Sequence, residues 1–483
     1  MQQKIVQTLK QILPTNKFAR GVSILASGVV IAQLITVLVT PILTRLYLPE
    51  NFGILAVFSS LVILCTTVAC GSYEQAIPLP DNLKQAASLV TLCLILLFGS
   101  TLLYILTIFF AKNLIVELVG TPQFGKYLWL VPLGVIVYGT SQTLQLYSVR
   151  KKQFSLITKS YIKQSFSMAF IRLIMNQFGA FTLIAGQITG NAVASVTLGM
   201  TVFGTPEFRK LKIIHIREVA KRYRRFPQFS VWSNLLRVGN QHVAPLVFAA
   251  LFTAKTAGLY ILVDRVLAIP LRIIGVAVGQ VFFVNATEAY REGRLAPLVK
   301  KVHQILANIM MPPAIVFIIA GPELFSIIFG QAWEQAGVFA RWMAPWMYLV
   351  SITSPFDSLF YIMEQQIKHL WCNSALFLVQ VSTIFTGVLT GDLNTTLALF
   401  CVGSSLCVFG FLIITIFMSG NGWTTLLVPI LQALTWNVLL STPLIIAQLM
   451  VLPTLPWLLL LIFTTILIGG RYLYLYRKNF LSS

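Results

Sequence analysis

Long apolar segments alternate with short polar turns along nearly all of the 483-residue chain. About 20 consecutive apolar residues are the length that a helix needs to cross the hydrocarbon core of a bilayer. The pattern predicts about fourteen such helices, at 22–44, 53–70, 86–110, 127–147, 157–178, 179–203, 229–252, 257–284, 302–320, 337–362, 368–389, 395–418, 424–449 and 454–474. We therefore predict an all-α polytopic membrane protein.

Composition and charge exclude a soluble protein and give an orientation. Hydrophobic residues make up 57% of the chain and charged residues only 10%, and the net charge is +21. The basic side chains fall mostly in alternate loops, with the densest run at 207–226. Because Lys and Arg accumulate in cytoplasmic loops, both termini and this run are predicted to be cytoplasmic. We interpret the run as a topology-setting linker and predict no nucleic-acid partner, although its charge also suits anionic lipid.

The six cysteines all lie in apolar segments without the spacing of metal ligands. They are typical of small buried apolar side chains, so the sequence predicts neither disulfides nor a metal.

The chain contains a weak internal repeat. The segment 46–57 resembles 251–262, which pairs Gly53 with Gly258 at an offset of 205 residues. Further along, Pro132 pairs with Pro345 in a second match. Two matches in the same order indicate a duplicated six-helix unit, and an even number of spans makes the repeats parallel. The predicted domains are an amino-terminal six-helix lobe, a basic linker, a second six-helix lobe and an extra helix pair with the tail, at 1–204, 205–228, 229–418 and 419–483.

Several ionisable residues lie inside the predicted spans, where a charge costs about 2.5–3.5 kcal/mol on insertion scales. Such residues normally face a protein interior or a watery cavity. The eighth span carries a cationic and small-residue stripe at helical spacing, and the seventh carries a polar stripe. The candidate cavity residues from these spans and the fifth are Arg237, Arg265, Arg272, Arg172, Gln241 and Asn234. Guanidinium suits phosphate, since it donates two parallel hydrogen bonds and stays charged when desolvated. Arg265 also has a simpler explanation, which is neutralisation of its neighbour Asp264.

The acids inside the spans bear on ion coupling. Asp357 and Asp264 are candidates for a proton or Na⁺ site, and Asp357 is equally suited to pairing with a cavity arginine. The sequence contains no nucleotide-binding loop, catalytic triad or paired-carboxylate signature, so we predict a transporter without a cofactor rather than an enzyme.

The residues resemble a known family over most of 18–380. Segments that carry the resemblance are TRLYLPENFGILAVF (44–58), YEQAIPLPDNLKQAASL (73–89), LIAGQITGN (183–191), RYRRFPQF (222–229), AGLYILVDRVLAIPLRIIGVAVGQVF (257–282) and FGQAWEQAGVFARWMAPW (329–346). This ordered set is similar to the Wzx-type polysaccharide and O-antigen flippases of the multidrug/oligosaccharidyl-lipid/polysaccharide superfamily. The resemblance implies two six-helix bundles around a central cavity, alternating access and lipid-linked sugar repeat units as cargo.

We therefore expect a flippase of the bacterial inner membrane that serves lipopolysaccharide or other polysaccharide synthesis. Its partners would be the bilayer, a polyprenyl-pyrophosphate-linked oligosaccharide and the polymerase machinery. Two alternatives on the same fold are a peptidoglycan-precursor flippase and a cation-coupled drug exporter. A membrane glycosyltransferase is a further alternative, but no loop is long enough for a catalytic domain.

Overall fold

A computed structural model describes residues 17–209, 211–270, 276–450 and 452–480. The described ranges fold into helices and turns and contain no strand. The prediction of an all-α polytopic protein is confirmed. Nine of the helices within these ranges are long and apolar enough to cross a membrane. The contacts divide the chain into two compact units, one ending at Gly258 and the other beginning at Leu259.

The first unit contains eight helices of ten residues or more, named α1 to α8, a single helical turn at Pro206–Arg209 and the start of a further helix. Each predicted span from the first to the seventh coincides with one helix, with ends that differ by a few residues. The amphipathic helix α7 lies in the predicted linker. The bounds are α1 Lys17–Leu46, α2 Pro49–Ala69, α3 Leu83–Val119, α4 Leu130–Arg150, α5 Phe154–Ile174, α6 Ala180–Val202, α7 Ile213–Arg222 and α8 Val231–Leu251.

The second unit contains the remaining helices, which also follow the predicted spans. Two predicted spans, 337–362 and 424–449, are each built from two helices, and residues 271–275 of the span at 257–284 lie outside the described residues. The bounds are α9 Ala254–Pro270, α10 Val276–Arg291, α11 Leu295–Phe329, α12 Glu334–Thr353, α13 Asp357–Ile362, α14 Gln366–Thr390, α15 Leu393–Met418, α16 Trp423–Leu440, α17 Thr442–Leu449 and α18 Thr454–Phe480. The turn at Ser354–Phe356 interrupts the span formed by α12 and α13.

The longest helix of each unit has the same local irregularities. In α3 the backbone leaves the helical region at Ala111, where φ is −121° and ψ is 22°. In α11 it does so at Ala320, where φ is −115° and ψ is 17°. Each helix then ends at a glycine with positive φ, Gly120 at 63° and Gly330 at 100°. The two helices thus share these local backbone features, and the duplication itself stays a prediction.

The α2 and α9 helices touch backbone to backbone near their first residues. A Cβ atom on Gly53 would lie 1.7 Å from the carbonyl oxygen of Ala254, and one on Gly258 would lie 1.9 Å from that of Pro49. Each glycine is the fifth residue of its helix and faces the first residue of the other helix. The contact is therefore reciprocal between positions that the repeat pairs, and only a residue without a side chain fits there.

The predicted linker packs against the first unit. Val219 on α7 is buried, and the Tyr73 hydroxyl donates to the Ala220 carbonyl at 3.0 Å. Earlier in the linker, the Lys151 ammonium forms an ion pair with Glu207 at 3.1 Å. The linker is thus an ordered layer on the ends of α3 and α4.

The last helices pack on α11. The fully buried His303 lies 3.1 Å from the Leu426 carbonyl of α16. Near the other end of α11, Gln448 donates to Glu323 at 2.6 Å. These two polar contacts fix α16 and α17 along the helix.

Candidate functional site

The α8 helix presents three predicted site residues at different degrees of exposure. Arg237 and Gln241 are exposed, whereas Asn234 is partly buried. The Asn234 side-chain amide donates to the Ser72 hydroxyl at 3.0 Å. Ser72 is fully buried and has a left-handed backbone with φ of 56°. Asn234 therefore fastens α8 to the turn after α2, and Arg237 and Gln241 stay accessible.

Polar side chains on α4 and α5 extend this accessible surface. Tyr138 is hydrogen-bonded to Gln142 on α4, and Arg237 of α8 lies within electrostatic range of the Tyr138 phenol. One helical turn further, the Gln145 amide donates to the Tyr161 hydroxyl on α5. We call Arg237, Tyr138, Gln142, Gln145 and Tyr161 the polar wall.

All members of the polar wall except Tyr138 lie toward one end of their helices. Arg237 follows the start of α8 by six residues, and Tyr161 follows the start of α5 by seven. At 1.5 Å per residue these positions are about 10 Å from the helix ends. The end in question is the one where the basic linker and the α4–α5 turn lie. The contact between Gly53 and Gly258 is at the opposite end.

The polar wall combines two kinds of recognition chemistry. Arg237 supplies a permanent cation with planar paired donors, which suits a phosphate group. Amide and phenol groups supply both donors and acceptors, which suit hydroxyl groups. An exposed charge at this depth needs water or an anion, because hydrocarbon would leave it unsolvated. The wall can therefore bind a polar headgroup that carries phosphate and hydroxyls.

Sequence reasoning found Arg237, Gln241 and Asn234 but missed the α4 and α5 residues. The sequence does contain a pattern that indicates the α4 residues. Tyr138, Gln142 and Gln145 repeat at intervals of four and three residues in an otherwise apolar span. Such spacing places all three side chains on one helix face.

Arg172 has a structural environment that differs from the expected cavity position. It is only 2% exposed, and its guanidinium donates to the Leu183 carbonyl at 3.0 Å and 3.2 Å. A further bond reaches Gln187 at 3.1 Å, and the Arg172 carbonyl accepts from Tyr47 at 2.6 Å. In this conformation Arg172 joins α5 to α6 and α1 and does not present its cation to a ligand.

In the second unit, α9 carries the adjacent candidate residues Asp264 and Arg265, and their mutual neutralisation stays a prediction. Arg265 and Asp264 are both partly buried, and Asp264 lies within electrostatic range of Tyr260. Tyr260 in turn packs edge-to-face on Phe400 of α15. Arg272 lies outside the described residues, so its assignment to the anion site stays a prediction.

Asp357 begins α13, directly after the break in its span. Its carboxylate lies 3.9 Å from the His369 ring of α14. The His369 ring also contacts Phe360, Tyr361 and Phe411, which enclose it with aromatic side chains. At this distance the two side chains form an ion pair only when His369 is protonated. The assignment of Asp357 to ion coupling stays a prediction.

The sequence comparison identifies the family. The profile of the polysaccharide biosynthesis protein family matches residues 42–337, which is more than half of the chain. The protein is therefore a member of that family. No curated protein matches the chain in sequence at a significant level.

Solved structures show which fold it shares. The chain is similar to a lipid II flippase, MurJ, in an inward closed conformation, with a TM-score of 0.72 and 10% identity over 93% of this chain and 99% of that one. It is also similar to a multidrug resistance MATE transporter of the MOP superfamily in an inward-facing conformation. That TM-score is 0.59, with 13% identity over 82% of this chain and 93% of that one. The chain thus shares the fold of these two structures.

Proposed function

We propose that the protein is a flippase that moves a polyprenyl-pyrophosphate-linked oligosaccharide from the cytoplasmic to the outer leaflet of the bacterial inner membrane. The polar wall is the observation that carries this proposal. A cation is set beside amide and phenol groups within helices that are otherwise apolar. The same chemistry occurs in a pyrophosphate followed by sugars. Family membership supports a role in polysaccharide synthesis.

The polar wall would lower the free-energy barrier to movement of the cargo across the membrane, because its side chains would replace the hydrogen bonds that the cargo loses with water. An unpaired polar group in hydrocarbon costs several kcal/mol, and an oligosaccharide carries many hydroxyls. Arg237 would bind the pyrophosphate, and Arg265 and Arg272 stay candidate cations from the sequence pattern. Gln142, Gln145 and Tyr161 would bind hydroxyls, and the prenyl tail would stay in lipid.

The glycine contact between α2 and α9 supports alternating access. It holds the starts of these helices together at the end opposite the linker. Cargo that enters from the linker side can leave only if this contact opens. A membrane potential that is negative inside would favour outward movement of an anion by about 2.3 kcal/mol per charge per 100 mV. Coupling to H⁺ or Na⁺ through Asp357 or Asp264 would be an additional drive.

Two other cargoes fit the fold. A peptidoglycan precursor would use the same pyrophosphate site, and the shared fold with a lipid II flippase favours keeping it as a second candidate. A drug exporter would depend on Asp357 and would tolerate loss of the arginines.

Complementation separates these candidates. A strain that lacks the gene would be supplied with wild type, Arg237→Gln, Arg237→Lys, Arg265→Gln or Asp357→Asn. Arg291→Gln is the control, because Arg291 is exposed at the end of α10. We expect Arg237→Gln to lose surface polysaccharide at normal protein levels, with partial rescue by lysine. Normal polymer from Arg237→Gln and Arg265→Gln would contradict the proposal. Lysis of the deleted strain would indicate a peptidoglycan precursor, and drug sensitivity with Asp357→Asn would indicate an exporter.

A further inference from the structure

The linker helix α7 has one face that is docked on the first unit. Val219 is 3% exposed, and the Ala220 carbonyl accepts from Tyr73 at 3.0 Å. The Arg222 guanidinium donates to Gln85 of α3 at 3.2 Å. These contacts join both the α2–α3 turn and α3 to α7. These contacts fix the orientation of α7 and leave the residues on its other face, which we call the outward face, exposed.

The outward face of α7 is both apolar and cationic. Ile213 is 84% exposed and Ile214 is 56% exposed, and both lie in the first turn. Arg217 and Lys221 are exposed at successive four-residue steps from Ile213. Residues spaced by four share a helix face. The first turn of this face is apolar, and the following turns are basic.

The residues before and after α7 are also basic or exposed and apolar. The segment 207–226 contains eight basic residues and two acidic residues. Immediately after it, Phe229 is 70% exposed and Trp232 is 67% exposed. Water would satisfy the cations but would leave the isoleucines and aromatic rings exposed at a cost. An anionic bilayer surface satisfies both, since it offers phosphates beside an apolar interior.

We propose that the outward face of α7 is a binding surface for anionic phospholipid headgroups of the leaflet on the linker side. Ile213 and Ile214 enter the boundary between headgroups and acyl chains, and Arg217 and Lys221 contact phosphates. Because the linker follows α6 and precedes α8, this contact anchors the junction of the first predicted lobe with the second. The proposal does not depend on the identity of the cargo.

Hydrogen–deuterium exchange on the full-length protein in nanodiscs tests the surface directly. Nanodiscs of pure phosphatidylcholine would be compared with nanodiscs that contain phosphatidylglycerol. We expect amides of 213–222 to exchange more slowly with phosphatidylglycerol present, whereas amides in the core of α3 are unchanged. Since each basic residue near an anionic surface strengthens binding about fivefold, Arg217→Gln with Lys221→Gln should remove most of the protection.

Two further double variants test whether the protection depends on the residues of the outward face. Lys300→Gln with Lys301→Gln removes the same charge from exposed positions on α11 and should leave the exchange of α7 unchanged. Ile213→Ser with Ile214→Ser should weaken protection in both lipids. Equal exchange of 213–222 in the two lipids would overturn the proposal. Protection that appears only when another protein co-purifies would also overturn it, and would assign the face to a protein partner.

Discussion

The two units share a framework but differ in the polar groups that the framework carries. Each has a long helix broken near its end and a glycine with positive φ directly after that helix. The first unit lines α4, α5 and α8 with amides, phenols and one exposed arginine. The second unit instead holds acids next to cationic or titratable partners, Asp264 beside Arg265 and Asp357 beside His369.

The two units are therefore alike in backbone features and different in polar side chains. The features that both units retain are features of the backbone. The polar groups are not retained, and we propose that the first unit recognises hydroxyls and phosphate whereas the second serves ionic coupling. The following predictions test that division, from the largest expected effect to the smallest.

Substitution at either glycine of the reciprocal contact should have the largest effect. In Gly53→Ala or Gly258→Ala the new Cβ would lie within 2 Å of a carbonyl oxygen, so the helices must separate. Overpacking of this kind costs about 1–3 kcal/mol or more. We expect a loss of transport of at least tenfold, equal for the two variants. Gly99→Ala is the control, since open space surrounds Gly99. Tolerance of one substitution but not of the other would break the proposed equivalence of the units.

Two arginines of the first unit should respond in opposite ways. Arg237→Gln should abolish transport with little change in the thermal unfolding temperature, because Arg237 is exposed. Arg172→Gln should lower that temperature, since it removes the guanidinium bonds to the Leu183 carbonyl and Gln187, and a hydrogen bond to a charged group contributes about 1.5–3 kcal/mol. Transport per folded molecule should be retained in Arg172→Gln. The assignment fails if Arg172→Gln leaves the unfolding temperature unchanged and abolishes transport.

Removal of a single hydroxyl from the polar wall should have a moderate effect. Tyr161→Phe deletes the acceptor of Gln145 and a candidate partner for a sugar hydroxyl. One neutral hydrogen bond contributes about 1 kcal/mol, so transport should fall about fivefold. Tyr290→Phe serves as the control, because Tyr290 is exposed on α10 of the other unit. An effect as large as that of Arg237→Gln would indicate that Tyr161 does more than bind a hydroxyl.

The smallest effect concerns stability against pH. Glu74 lies in the turn between α2 and α3, where burial raises the pKa of its carboxyl group to about 7. The pKa of Glu74 is higher in the folded state than in the unfolded state. Its contribution to the free energy of unfolding is therefore fully present below about pH 4.5 and is lost as the pH rises through 7. Glu74→Gln should therefore unfold at a higher temperature than wild type at pH 8 and at a similar temperature at pH 4.5. A lower unfolding temperature for Glu74→Gln at pH 8 would show that the charged form is stabilised.

The sequence predicted the helices well because each span has to satisfy the same condition. Bilayer crossing requires some 20 apolar residues, and that requirement is local in sequence. The breaks at Phe356 and at Ser441 lie within predicted spans, since hydropathy does not respond to backbone geometry. The pairing of Gly53 with Gly258 came from a short match, and the structure shows these positions to be in reciprocal contact.

The candidate site was harder to predict from the sequence than the helices were, because it depends on which helix faces pack against each other. Arg172 and Arg237 are both single arginines in apolar spans, yet one donates to a buried carbonyl and the other is exposed. Only the packing of α6 against α5 distinguishes them. The bond between Gln145 and Tyr161 likewise joins two helices, although the α4 stripe itself was visible in the spacing.

Translocation in proteoliposomes tests most directly whether the site recognises pyrophosphate. Purified protein would be given a fluorescent polyprenyl-pyrophosphate oligosaccharide and a matched glycolipid with the same sugars but no phosphate. We predict that wild type moves the pyrophosphate lipid much faster than the neutral lipid, and that Arg237→Gln abolishes this preference. Equal rates for the two lipids in wild type, unaffected by Arg237→Gln, would contradict the account.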